Sequence, residues 1–131
     1  MSGWLDTPLL KIMEKGLDTS SLRQKVIANN VANLETPGFK RSDVDFQKAF
    51  DNALGKDNNL SLKLTSAKHI PGVGDMQNIL VTDPSSIQTN GNNVDIDREM
   101  TNVAENGIYF SSVSRATTMQ MGILRLLINQ K

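Results

Sequence analysis

Apolar residues recur at helical spacing near both ends of the chain and thin out between them. From Pro8 to Leu34 the recurring positions are Leu10, Met13, Leu17, Ile27, Val31 and Leu34. Thr7 before Pro8 reads as an N-cap followed by the first helical position, where proline's missing N–H costs nothing. Gly16 and the polar run Asp18-Thr19-Ser20-Ser21 weaken the middle of this stretch, leaving either one continuous helix or one loosened between Leu17 and Ser21. Thr36-Pro37-Gly38 ends it: proline disfavours helical geometry at the residue before it, and Pro-Gly fits the two central positions of a type II turn.

The second helical pattern is longer. Steps of four and three from Ile96 reach Met100, Val103, Gly107, Phe110, Ser114, Thr117, Met121, Leu124 and Ile128. Such a seven-residue repeat points to a coiled-coil seam. Asp95, Asp97 and Glu99 at its start, with Arg125 and Lys131 near its end, suit the helix dipole. At 1.5 Å per residue the helix is about 50 Å long. A neighbouring stripe of Tyr109, Val113, Ala116, Ile123 and Leu127 is also apolar, so one partner helix cannot cover the whole apolar surface. The excess calls for self-assembly or a docked partner, with cover by the central segment as the plainer alternative.

Residues 35–95 hold five of the nine Gly, three of the four Pro and fourteen Asn or Asp, so a core of their own is not expected. Asp45 to Leu54 reads as a short amphipathic helix, Leu60 to Thr65 as a half-exposed strand, and Ile79-Leu80-Val81 as a short strand. His69 to Gly74 reads as loop and Asn90-Gly91 as a turn. The fold class is therefore mainly α: an N-terminal helix (1–36) and a C-terminal helix (96–131) pair antiparallel as a coiled coil or bundle around a small irregular, β-containing insert (37–95). Asn29, Asn30 and Asn33 admit two readings, buried amides that fix register or ordinary helix-end capping.

Candidate chemistry is sparse. The 131 residues carry 14 basic and 14 acidic side chains, which gives no electrostatic ground for nucleic acid or an anionic membrane as partner. With no Cys and one His, a His/Cys metal cluster or a Cys–His pair is excluded. Asn90 to Asp97 superficially resembles a calcium loop but lacks its spacing, and an N-cap with dipole-facing carboxylates accounts for Asp95 and Asp97. Gly72-Val73-Gly74 lacks the lysine and setting of a phosphate loop. No catalytic residue, cofactor, metal or small-molecule substrate is expected. Met1 to Asp6 shows no basic segment followed by an apolar one, so no cleaved secretory leader is expected.

The run Ala28-Asn29-Asn30-Val31-Ala32-Asn33, two residues, then Thr36-Pro37-Gly38-Phe39 resembles the N-terminal signature of the bacterial flagellar axial proteins of rod and hook. Leu34-Glu35, the two residues between, depart from the small or amidic pair often found at that place in the signature; Asn90 to Met100 resembles the approach to the C-terminal helix in proximal rod members of that family. The resemblance implies a structural, non-enzymatic subunit of the flagellar basal body, exported uncleaved through the type III apparatus and needed for motility. Its partners would be copies of itself, other rod proteins, the rod–ring adaptor and the membrane ring. The terminal helices would form the inner tube and be poorly ordered in the free monomer. Under this reading Leu10, Met13, Leu17, Ile27, Val31 and Leu34 pack against Met100, Val103, Phe110, Met121, Leu124 and Ile128, with Gly107, Ser114 and Thr117 permitting close approach. Tyr109, Val113, Ile123 and Leu127 meet neighbouring subunits, and Asn30, Asn33 and the turn Thr36 to Phe39 belong to the assembly region. The competing expectation is a soluble helical adaptor that binds one partner without polymerising.

Overall fold

The computed structural model describes residues 7–54, 79–85 and 88–129. The expected strand at Leu60 to Thr65, the loop from His69 to Gly74, the N-terminal Met1 to Asp6 and Lys131 lie outside them.

Helix α1 runs without interruption from Pro8 to Ala32. The Thr7 side chain accepts a hydrogen bond from the Leu10 amide at 3.4 Å and Pro8 occupies the first turn, as the sequence pattern indicates. The polar middle does not loosen the helix, because it is the face that packs. Gly16, Thr19 and Ser20 are buried, and Thr19 returns its hydroxyl to the Lys15 carbonyl at 2.7 Å. At the far end Asn33 donates both its backbone and its side-chain N–H to the Asn29 carbonyl, so helix-end capping is one of the asparagine roles present. Gly38 follows with φ 71°, and the Phe39 amide bonds back to the Thr36 carbonyl at 3.3 Å. This is the positive φ that the third position of a type II turn requires.

The chain then forms strand β1 (Ser42–Val44), helix α2 (Phe46–Ala53) and, after the undescribed stretch, strand β2 (Leu80–Thr82). The strands pair antiparallel with Ser42 opposite Thr82, Asp43 opposite Val81 and Val44 opposite Leu80. Asp45 caps α2 by accepting from the Lys48 amide at 3.1 Å. Val44, Ala49 and Ile79 form a small apolar core closed by Leu22 and Val26 of α1. Helix α3 (Ile96–Asn129) starts where Asp95 accepts from the amides of Asp97 and Arg98, and it lies antiparallel along α1. No described helix is long and apolar enough to cross a membrane.

The helical pair differs from the expected seam in which face of α3 meets α1. Tyr109 and Val113, expected to point outward, lie over Gly16. A Cβ on that glycine would stand 3.1 Å from the Tyr109 hydroxyl and 3.7 Å from Val113. Glu99 and Asn106 on the same face are fully buried. Met100, Phe110, Met121 and Ile128, expected to face α1, are instead 45–55% exposed, while Val103 and Leu124 are half-buried. In its first half the packed face is displaced by one residue, about 100° around the helix. The cause is that Glu99 and Asn106 find polar partners on α1 and, for Glu99, at Arg41 just before β1, which a purely apolar stripe cannot offer. Gly107 meets nothing within 4 Å, so the glycine that permits close approach of the two helices is Gly16 rather than Gly107.

Candidate assembly surface and its polar latch

Two features set the functional geometry, and both follow from that choice of face. The first is a polar latch where α1 ends and α3 begins. Asn30 is fully buried; its amide nitrogen donates to the Ser42 carbonyl at 2.7 Å and to Glu99 at 3.1 Å, and its oxygen accepts the Ser42 amide at 3.0 Å. The side chain thus takes the place of a third strand beside β1. Arg41, itself buried, donates through Nε to Glu99 at 3.0 Å and through Nη2 to Asp43 at 3.4 Å. Arg23 of α1 grips Asp43 with two hydrogen bonds, at 2.9 and 3.3 Å, and its guanidinium lies 5.6 Å from the centre of the Phe46 ring. Phe46 in turn meets Tyr109 edge-on at 5.0 Å. Arg23, Asp43, Arg41, Glu99 and Asn30 thus link α1, β1 and α3 in one chain of charge-assisted bonds. Burial alone would push the Asp43 carboxyl upward, but the Arg23 and Val44 hydrogen bonds and the two guanidinium charges outweigh it and hold the group below its ordinary value of 3.8.

A pair of asparagines extends the latch. Asn92 donates to the carbonyls of Asn33, Leu34 and Thr36 at 2.8–3.0 Å, satisfying backbone acceptors left as the chain leaves α1. Asn93 accepts the Arg41 amide at 2.7 Å and donates to the Asp83 carbonyl at 2.9 Å. The Gly38 amide bonds the Asn90 carbonyl, and a Cβ on Gly91 (φ 83°) would lie 3.6 Å from the Gly38 Cα. The two runs that carry the resemblance, 28–40 and 90–100, are thus joined in space. Asn30 fixes register and Asn33 caps, so both asparagine readings hold, at different residues. Further along, Asn106 accepts the Ser20 hydroxyl at 2.8 Å and donates to the Ser20 carbonyl and the Gln24 side chain.

Sequence reasoning did not single out Glu99, Arg41, Asn92, Asn93, Asn106 or Ser20 as connecting residues. Glu99 and Asn106 interrupting an apolar helix face, and the Asn-Asn pair before a helix, were the available signals.

The second feature is an apolar surface that the described residues leave uncovered. Ile27 is buried, while Leu10, Met13, Leu17, Val31 and Leu34 on α1 are half-buried. On α3, Ile108, Met119, Leu126 and Leu127 are 64–70% exposed; Phe110, Met121, Ile123 and Ile128 are about half exposed, and of these Phe110, Met121 and Ile128 stand two positions on from Ile108, Met119 and Leu126, on another side of the helix. Antiparallel register through Ser20–Asn106 and Gly16–Val113 brings Pro8 level with α3 between Thr118 and Met121. The last two turns of α3 project past the first residue of α1.

The sequence matches known proteins over most of its length. Residues 10–40 match the family described as Flagella basal body rod protein. The chain is 32% identical over 129 residues to the flagellar basal body rod protein FlgB of Escherichia coli K12, covering 90% of this chain and 91% of that protein. It is 36% identical to the Bacillus subtilis FlgB over 77% of this chain and 78% of the relative. For the Borreliella burgdorferi FlgB the figures are 41% identity, 72% of this chain and 76% of the relative. With identities of 32–41% over 72–90% of its length, the chain belongs to the FlgB family of flagellar basal body rod proteins.

Proposed function

We propose that this chain is a structural, non-enzymatic subunit of the flagellar basal-body rod, located in the basal body and required for motility. Its latch fixes α1 and α3 in one register, and the uncovered surface of α3 packs against neighbouring subunits. The neighbours are copies of this chain, other rod proteins, the rod–ring adaptor and the membrane ring; the route to them is the type III export apparatus. The residues assigned to these contacts are Met100, Phe110, Met121, Ile123, Leu127 and Ile128 on α3. Leu10, Met13 and Leu17 complete the rim on α1, and the Thr36 to Phe39 turn serves the latch.

The carrying observation is that α3 leaves large apolar side chains exposed on two sides, Ile108, Met119 and Leu126 on one and Phe110, Met121 and Ile128 on another. Burial of one large apolar side chain contributes roughly 1.5–3 kcal/mol. Several such residues in contact with neighbours therefore offset the ordering of a projecting helix end. Leu126 is 66% exposed, so Leu126→Asp leaves the folded subunit intact while placing a charge in the interface. Cells carrying it are expected to be non-motile and to lack rods, with the subunit still exported. Normal swimming would defeat the assignment.

A further inference from the structure

Between the end of α1 and the start of α3 lies a groove of about 460 Å³, lined by Leu34, Val94 and Ile96 together with Glu35, Asn90 and Asp95. Val94 is buried, Leu34 half-buried and Ile96 40% exposed. Glu35 is exposed and has no hydrogen-bond or ion-pair partner among the described residues. Asp95 uses one carboxylate oxygen to cap α3 and keeps the other without a partner among the described residues. Asp97 adds a third exposed carboxylate nearby, against Arg98 as the neighbouring base. The groove is apolar inside and acidic at its edge.

The opposite end of α3 has the complementary character. No acidic residue follows Glu105, whereas Arg115, Arg125 and Lys131 do. Arg125 is exposed without a partner among the described residues, and Met121 and Ile128, at i−4 and i+3, share its side of the helix and are 46% and 55% exposed. We propose that the groove receives the last two turns of α3 from a second copy of this chain, with Arg125 between Glu35 and Asp95 and with Met121 and Ile128 over Leu34 and Ile96. Opposite ends of the molecule meet, so the contact is heterologous and propagates along an assembly rather than closing a dimer. Charge complementarity selects the second copy, and the carboxylates set which helix end is accepted. The inference rests on the reading of the chain as a rod subunit.

The absence of cysteine from the sequence allows a direct test. Glu35 and Arg125 lie about 40 Å apart or more in one chain by helix rise, so a disulfide joining cysteines introduced at these two positions can form only between copies. Cells producing both Glu35→Cys and Arg125→Cys subunits, one of them tagged, are the source of basal bodies for mild oxidation. A tagged–untagged dimer is expected. Subunits present in the basal bodies without that dimer overturn the groove contact and leave the rod reading standing; wild-type basal bodies without the subunit overturn the rod reading itself. A second measurement guards against loss through altered assembly of the cysteine variants. Glu35→Lys and Arg125→Glu each abolish swarming, and the two in one chain restore it. A double variant no better than the singles, or singles that swarm normally, counts against the contact.

Discussion

Glu99 shows how a single side chain determines which way a helix faces. It is fully buried with one oxygen on Arg41 and the other on the Asn30 amide, and removing it leaves the buried Arg41 guanidinium with only its 3.4 Å bond to Asp43 and takes one of two acceptors from the Asn30 amide. Breaking a buried pair by deleting one partner typically costs about 3–5 kcal/mol. Glu99→Ala should therefore lower the unfolding free energy measured in urea by that order, whereas Glu105→Ala, at an exposed site of the same helix, should stay within about 0.5 kcal/mol of wild type. Asp43 makes the latch sensitive to acid. Its folded-state carboxyl titrates below the ordinary value of 3.8, so the unfolded chain takes up the proton first as pH falls. The stabilisation from this group is complete above that value and disappears on descending through it towards the lower folded value. Urea midpoints measured from neutrality down to about pH 3 should fall in that window. Asp43→Asn should be less stable at neutral pH and show a shallower acid limb. An unchanged limb would place the acid sensitivity elsewhere.

Among the elements, what was legible in sequence was local. The Thr7–Pro8 start, the Pro37-Gly38 turn, the Asp95 cap and the short α2 each depend on residues within a few positions of one another. The face of α3 was not legible, because its determinants are partners 69 residues apart for Asn30–Glu99, 58 for Arg41–Glu99 and 86 for Ser20–Asn106. An apolar repeat read alone selects the greasiest stripe, and here that stripe is the one left outside. The glycines separate the two faces in a measurable way. Alanine is favoured over glycine inside a helix by about 0.8–1.0 kcal/mol. Gly107 is surrounded by open space, so Gly107→Ala should raise the stability of the isolated subunit by nearly that amount in thermal or urea unfolding. At Gly16 the new methyl would sit 3.1 Å from the hydroxyl of a Tyr109 ring held edge-on by Phe46. Gly16→Ala should gain nothing or lose stability, and equal gains at both sites would contradict the packed face described above.

As a whole the molecule is secured at one end and unfinished at the other. The β1–β2 pair, the small core around Ala49 and the latch all gather about the end of α1 and the start of α3, while α1 spans 25 residues against 34 for α3. Helix ends without tertiary cover are marginal in water, since helical stability in proteins comes mostly from packing of a face. Stability in the free subunit should therefore grade along α3. In hydrogen exchange on dilute subunit, amides from about Glu99 to Val113 should be protected with the latch, and those from Met119 to Asn129 should exchange far faster. In rods the same distal amides should become protected, because neighbours now cover Met121, Ile123, Leu126 and Leu127. Leu126→Asp subunit should match wild type in the dilute state, since the substitution acts on a surface the monomer does not use. Uniform protection along all of α3 in the monomer would mean that the helix is complete by itself, and the apolar surface would then need a purpose other than coupling order to assembly.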